Sequence, residues 1–149
     1  AGYNFPRVLE IGSGKGTFTQ WLKKENNRVL AVDISSTAVK KARETFPDID
    51  FRVMDAQQVA RIDEEFDLVV IMAALAYIKG WRPLLAALSQ KTRFLYVAEY
   101  IPHKPIGCVK SGLELNRALR RHFIVKHQVV IDEEHHLILA ETSARRKKK

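Results

Sequence analysis

The chain alternates short apolar runs with stretches whose apolar residues recur at helical spacing. "RVLEI" (7–11) and "RVLAVD" (28–33) are aliphatic runs of the kind buried on both faces of a parallel sheet. Between them, Phe18, Trp21 and Leu22 fall on one helical face, and Thr17 with Gln20 has the pattern of a capping box. Ser35 or Ser36 can cap the next helix, which would turn Ala38, Val39, Ala42 and Phe46 inward until Pro47 stops it. "DFRVMD" (50–55) alternates as a strand does, and "FDLVVIMA" (66–73) reads as a fully buried one. Trp81, Leu84, Leu85 and Leu88 predict a helix that tolerates Pro83 only in its first turn. "TRFLYVAEY" (92–100) gives a fifth strand, and Ser111 with Glu114 a second capping box before a helix carrying Leu115, Leu119 and Phe123. Two strand-like runs, "FIVKHQVVI" (123–131) and "HLILAET" (136–142), follow, joined through "DEEH" (132–135) as a tight hairpin.

Strand–helix alternation with a closing hairpin predicts an α/β layered sheet with helices on both faces. Right-handed crossovers leave few topologies, and ligands in such sheets sit at the carboxyl ends of the strands. The string "GSGKGT" (12–17) follows the first strand directly, where a ligand belongs.

Three nucleotide sites share such a string. An ATP phosphate loop needs a glycine five residues before Gly14 and a hydroxyl after Lys15, but those positions hold Leu9 and Gly16. An NAD turn wants Gly-x-Gly-x-x-Gly; Gly12 and Gly14 fit, and the third position is Thr17. Asp33, at the end of the second strand, suits a ribose hydroxyl in either case. A plain tight turn would account for the glycines without any ligand.

The stretch "LEIGSGKG" resembles the first motif of class I S-adenosylmethionine-dependent methyltransferases, with Glu10, Gly12, Gly14 and Gly16 at the motif positions and Ser13 inside the turn. The resemblance extends over nearly the whole chain. It implies a Rossmann-like doubly wound sheet of seven strands, mostly parallel with an antiparallel C-terminal hairpin strand. It also implies S-adenosylmethionine as cofactor, Asp33 on the ribose hydroxyls, Ile34 against the adenine, Asp55 and Ala56 at the adenine amino group, and Met72 and Ala73 bordering the methyl group. Family members that methylate base amino groups or glutamine amides usually carry Asn/Asp-Pro-Pro-Tyr/Phe in the fourth motif. This chain has Met72-Ala73-Ala74-Leu75 there, which argues against those acceptors, and the segment from "YIPHKPIGCVKS" (100–111) onward resembles small-molecule methyltransferases, including the nodulation-type N-methyltransferases. The methylated atom, N or O, stays open, as do an NAD-dependent oxidoreductase and a non-catalytic nucleoside-binding scaffold. Class I members usually carry helices before the first strand. Only "AGYNFP" precedes it here, so the site is expected to be open to water and turnover slow.

No catalytic constellation stands out, and transfer from a sulfonium needs a base only where the acceptor must lose a proton. Tyr77, Glu99 and His103 follow or end the fourth and fifth strands and are the catalytic candidates. Each also has a plainer reading: packing for Tyr77, a loop carboxylate for Glu99, a solvated loop residue for His103. Tyr100 reads as a rim aromatic. His135 and His136 are expected in the hairpin, far from the site, and no metal set is visible.

Composition adds bounds. The chain has 149 residues, 46 % of them hydrophobic and 28 % charged, enough for one domain with a substantial core. One cysteine, Cys108, suits a reducing compartment, and the cytoplasm is the expected location. No apolar run is long enough to span a membrane. Of a net charge of +8, five charges lie in residues 145–149. The expected division is a core over 1–144 and a basic, disordered tail over 145–149. A nucleic-acid partner would have to act through that tail, because no nucleic-acid motif is present.

Overall fold

The structure is a computed structural model, and it describes residues 4–143. The basic tail, and with it the boundary at 144, lies outside the described residues. Strands β1 (Arg7–Ile11), β2 (Arg28–Asp33), β3 (Asp50–Val53), β4 (Phe66–Met72), β5 (Thr92–Tyr100), β6 (Phe123–Ile131) and β7 (His135–Thr142) form one sheet. Its order is β3-β2-β1-β4-β5-β7-β6. The first five strands are mutually parallel, as the intervening helices require, and β7 runs antiparallel to both β5 and β6. This is the doubly wound seven-stranded sheet that the sequence predicts.

The sheet separates two apolar layers. On one face Leu9, Ile11, Val69, Ile71, Leu95, Val97 and Ile138 pack against α3 (Trp81–Ser89) and α4 (Gly112–Arg120). On the other, Val8, Val29, Ala31, Leu68 and Val70 pack against Val39 and Ala42 of α2 (Ser36–Thr45). The short α1 (Thr19–Leu22) lies beside β2. Ser35 caps α2 by accepting the Ala38 N–H at 3.2 Å. Pro83 sits in the first turn of α3, where its missing N–H costs nothing.

Four local expectations change. The Thr17–Gln20 capping box is not formed: α1 has no side-chain cap, and the Gln20 amide instead donates to the Thr17 carbonyl at 2.8 Å. Trp21 is 68 % exposed rather than inward. The glycine loop keeps turning through Phe18, so the helix begins one residue later and Thr19 takes the inward position, its hydroxyl bonded to Glu10. In α4 Ser111 accepts the Glu114 N–H as expected, but Glu114 reaches back to the Lys110 N–H, one residue before the cap. The fourth change has the largest consequence. Because β7 inserts between β5 and β6, His135 and His136 stand opposite Tyr100 and Glu99, at the carboxyl end of β5. The hairpin turn, residues 132–134, is therefore at the ligand end of the sheet, not remote from it.

Candidate active site

A cleft of about 560 Å³ opens above the carboxyl ends of β1–β4. Its walls come from the segments that follow these four strands. The first is the turn after β1, where Gly12 and Ser13 both donate N–H bonds to the Val32 carbonyl, at 2.8 and 3.1 Å. Gly12 has φ +81°, and a Cβ there would lie 2.4 Å from the Ala74 Cβ, so only glycine lets the first and fourth strand ends approach this closely.

The second segment is the end of β2. Asp33 holds both carboxylate oxygens against backbone: Oδ2 accepts the Gly14 N–H at 2.8 Å and Oδ1 the Ser35 N–H at 2.9 Å. The carboxylate is thus fixed in orientation, and each oxygen keeps lone pairs for hydroxyl groups of a ligand. Ile34 follows, 70 % exposed on the cleft wall, an apolar side chain free to cover a flat ring. Beyond β3, Asp55 caps the 3-10 turn Ala56–Arg61 through the Gln57 N–H, and Asp55, Ala56, Met54 and Gln57 line the cleft.

The fourth segment follows β4. Ala73 takes φ 50°, turning the chain across the strand end. The turn is clamped from β5: Glu99, 4 % exposed, accepts the N–H groups of Ala74 and Leu75 on Oε1 at 2.8 and 2.6 Å. Burial raises the Glu99 pKa and these N–H bonds oppose the rise. Tyr77, 70 % exposed, stands on the rim with Ile78, Lys79 and Gly80.

Of the residues singled out from the sequence, Gly12, Asp33, Ile34, Asp55, Ala56, Ala73 and Tyr77 meet around this cleft. Gly14 stands behind it as the donor that fixes Asp33. Gly16 packs against Phe51 and Phe46. Ser13 is buried with its hydroxyl unpaired, and Met72 is half-buried against the apolar layer that carries α2. Glu10 is 2 % exposed beneath the loop, bonded to Thr19 and absent from the cleft wall. Burial pushes its pKa up to about 7, against the Thr19 hydrogen bond and with a small push from Asp33. His103 lies on the β5–α4 loop, exposed, its Nε2 3.5 Å from Glu133. Met54, Gln57, Ile78 and Lys79 escaped the sequence reading. Gln57 carries the one signal that could have found it, two residues after Asp55 at the start of the capped turn. Among the described residues no cluster of His, Cys, Asp and Glu could hold a metal ion, and no helix is long and apolar enough to cross a membrane.

Comparison with known proteins adds to this geometry. A family model described as a methyltransferase domain matches residues 8–95, more than half of the chain. A putative methyltransferase (235L) of Invertebrate iridescent virus 6 is 37 % identical over 73 residues, covering 48 % of this chain and 27 % of the viral protein. A demethylmenaquinone methyltransferase of Renibacterium salmoninarum is 32 % identical over 97 residues, covering 63 % of this chain and 41 % of that protein. The chain thus spans less than half the length of these curated relatives. Among solved structures, an S-adenosylmethionine-dependent methyltransferase from Mesorhizobium loti superimposes with a TM-score of 0.80 at 17 % identity, covering 91 % of this chain and 90 % of that one. The N-methyltransferase NodS from Bradyrhizobium japonicum, in complex with S-adenosyl-L-homocysteine, gives 0.77 at 18 % identity, with 93 % and 79 % covered. At these identities the likeness is one of fold.

Proposed function

We propose a function for this chain, which belongs to the methyltransferase domain family: S-adenosylmethionine-dependent transfer of a methyl group to a nitrogen or oxygen atom of a small molecule. The observation that carries the reading is Asp33, a carboxylate oriented by two backbone N–H bonds on the wall of a cleft whose glycine turn admits no side chain. An oriented acceptor of this kind fits a nucleoside with two free ribose hydroxyls. Ile34 would cover the base, with Asp55 and Gln57 at its edge, and Gly12 and Ala73 would leave bare backbone beside the methionine portion.

The cofactor, when bound, supplies an activated methyl group on a sulfonium, so the protein's task is alignment for in-line attack. Asp33 holds the ribose end. Glu99 fixes the Ala73–Leu75 turn and acts as a positioning residue, its Oε1 already occupied by two N–H groups. Tyr77, on the rim, is the candidate residue that an acceptor would touch. An amine presenting its lone pair needs no base from the protein, and a phenol or acid that is ionised in solution needs none either.

Calorimetry with S-adenosylmethionine, S-adenosylhomocysteine, NAD and ATP tests the reading. The first two are expected to bind and the last two are not. Asp33→Ala is expected to weaken binding at least about tenfold, since hydrogen bonds to a charged group contribute roughly 1.5–3 kcal/mol each. Tighter binding of NAD would replace the methyltransferase reading with an oxidoreductase. Cofactor binding without labelled-methyl transfer to any small amine, phenol or carboxylic acid would leave a nucleoside-binding scaffold.

A further inference from the structure

The two edges of the sheet are built differently. The β3 edge has four residues and carries the Arg52–Asp50 ion pair at 2.7 Å, short and charged as edges that resist pairing are. The β6 edge has nine residues, and Ile124, Val129, Val130 and Ile131 are each about half exposed along it. A lysine commonly blunts such an edge, but Lys126 leans back over β7, its Nζ 3.6 Å from Glu141 Oε2. One side of β6 is paired with β7, and among the described residues no strand lies along the other side.

A bulge gives this edge its symmetry. Val125 stands opposite Ala140 and His127 opposite Leu139, so Lys126 is an extra residue. Residues opposite one another share a face of the sheet. Ile124, opposite Glu141, and Ile131, opposite His135, therefore lie on the face of Leu139, the one that carries α2. Val125 and Val130, opposite Ala140 and His136, lie on the face of α3 and α4. In an unbroken strand, residues an odd number apart point to opposite faces, and both pairs would be split. With the bulge, a second β6 laid antiparallel about a two-fold axis at Gln128 sets Ile131 opposite the partner's Ile124. It sets Val130 opposite the partner's Val125 in the same register.

The charges at the two ends of the strand obey the same symmetry. Arg120, Arg121 and His122 precede β6, and Asp132, Glu133 and Glu134 follow it. Neither Arg120 nor Arg121 forms an ion pair with another described residue. The two-fold axis brings each basic run to the acidic run of the other copy, twice over. A self-complementary patch of this kind is what a two-fold interface requires.

We propose that β6 is the interface of a homodimer, in which two copies pair edge to edge and join their sheets into one. The occupant is a second copy because both the apolar pairs and the charged ends match only when the strand meets itself reversed. One strand per copy buries less than the roughly 1,200–2,000 Å² of a stable interface. The dimer is therefore weak, with a Kd on the order of 10–100 µM, and the chain is monomeric at about 1 µM. β5 and β7 separate this edge from β4, so the cleft of each copy stays open.

Sedimentation velocity from about 10 µM to 1 mM, with amide hydrogen exchange at both ends of that range, tests the proposal. A monomer–dimer equilibrium is expected, with exchange slowed by concentration in His127–Ile131. Ile131→Lys, at a half-exposed position, is expected to abolish association and to keep cooperative unfolding. Arg121→Glu and Glu133→Arg are each expected to weaken association about tenfold. One exposed ion pair contributes little, but each reversal acts twice and turns attraction into repulsion. Arg121→Glu also lowers the net positive charge, which would strengthen association if general repulsion alone governed it. The two changes in one chain, or the two variants mixed, are expected to return the Kd to within about threefold of wild type. No association up to 1 mM, protection confined to other residues, or association unmoved by Ile131→Lys would overturn the interface. Single reversals without effect, or a double variant as weak as either single one, would overturn the two-fold register.

Discussion

Two regions at the carboxyl end of the sheet finish their polar chemistry differently. Around the cleft, both oxygens of Asp33, Oε1 of Glu99 and the carbonyl of Val32 are engaged by backbone N–H groups, and the buried Ser13 hydroxyl is left unpaired. Around the hairpin, His136 is buried and unpaired, and β6 exposes Ile124, Val129, Val130 and Ile131 along its length. Fixed dipoles align a ligand without reorganising when it arrives, which is what alignment chemistry needs. The first region is pre-organised by the fold; the second leaves a buried nitrogen and an apolar edge strand without partners.

The largest effect expected on this contrast comes from the glycine loop. Gly16 has φ +80°, and a Cβ there would meet Phe51 Cζ at 2.7 Å and Phe46 at 3.1 Å. Gly16→Ala therefore combines backbone strain with overpacking against buried rings, for a total of roughly 3–5 kcal/mol. Urea denaturation measures it. A loss under about 1 kcal/mol would show that the loop yields, and that the cleft is not pre-organised.

Next comes pH. Glu10 is pushed from 4.5 to about 7, so the folded protein holds its proton more tightly than the unfolded chain. The stability it contributes is fully present below about pH 4.5 and is lost as pH rises through about 7. The displacement corresponds to roughly 3 kcal/mol. Glu10→Gln keeps a partner for Thr19 and is expected to flatten the fall in stability between pH 5 and 8. A wild-type profile as flat as that of Glu10→Gln would mean that the carboxylate is hydrated beneath the loop.

How much of this was visible beforehand follows the same division. Buried aliphatic runs mark their own ends: β5 and β6 begin and stop where the apolar pattern does. Asp33 was legible because a strand end fixes its position. Glu99 was legible as an acid at a strand end, but its partners, the N–H groups of Ala74 and Leu75, reach it only when the β4 turn closes over β5. Trp21 was misplaced because helical periodicity cannot show that Thr19 has a buried acid to bind. His136 was misplaced because chain order gives no hint that β7 slots between β5 and β6, which brings a hairpin residue beside Glu99. Local pattern sets the elements, and strand order sets the neighbours.

Glu99→Gln is expected to have a smaller effect than either change above. The amide still accepts from Ala74 or Leu75 on one side, but its NH₂ group must be buried where the carboxylate had only acceptors. A cost of about 1–2 kcal/mol follows. As a positioning change it is expected to lower kcat in a methyl-transfer assay with S-adenosylhomocysteine affinity within about threefold, since the clamp bonds the turn after β4 and not Asp33. Equal losses in kcat and in cofactor affinity would make Glu99 part of the binding surface instead.

The smallest effect sets the other end of the scale, and one substitution can be made in both regions. Val70 is 1 % exposed in the centre of β4, whereas Val129 is 56 % exposed on β6, the edge strand. Val→Thr keeps the shape and exchanges a methyl for a hydroxyl. At Val70 the hydroxyl enters an apolar layer, at a cost of about 1–3 kcal/mol. At Val129 it meets water, and threonine fits a strand as well as valine does, so the change is expected to stay within about 0.5 kcal/mol. Urea denaturation of the two variants, with equal m-values, gives the comparison directly. A cost at Val129 approaching that at Val70 would mean that β6 is covered in solution. Repeating the measurement over a range of protein concentrations then identifies the cover, because burial by a second copy makes the midpoint rise with concentration and burial within one chain does not.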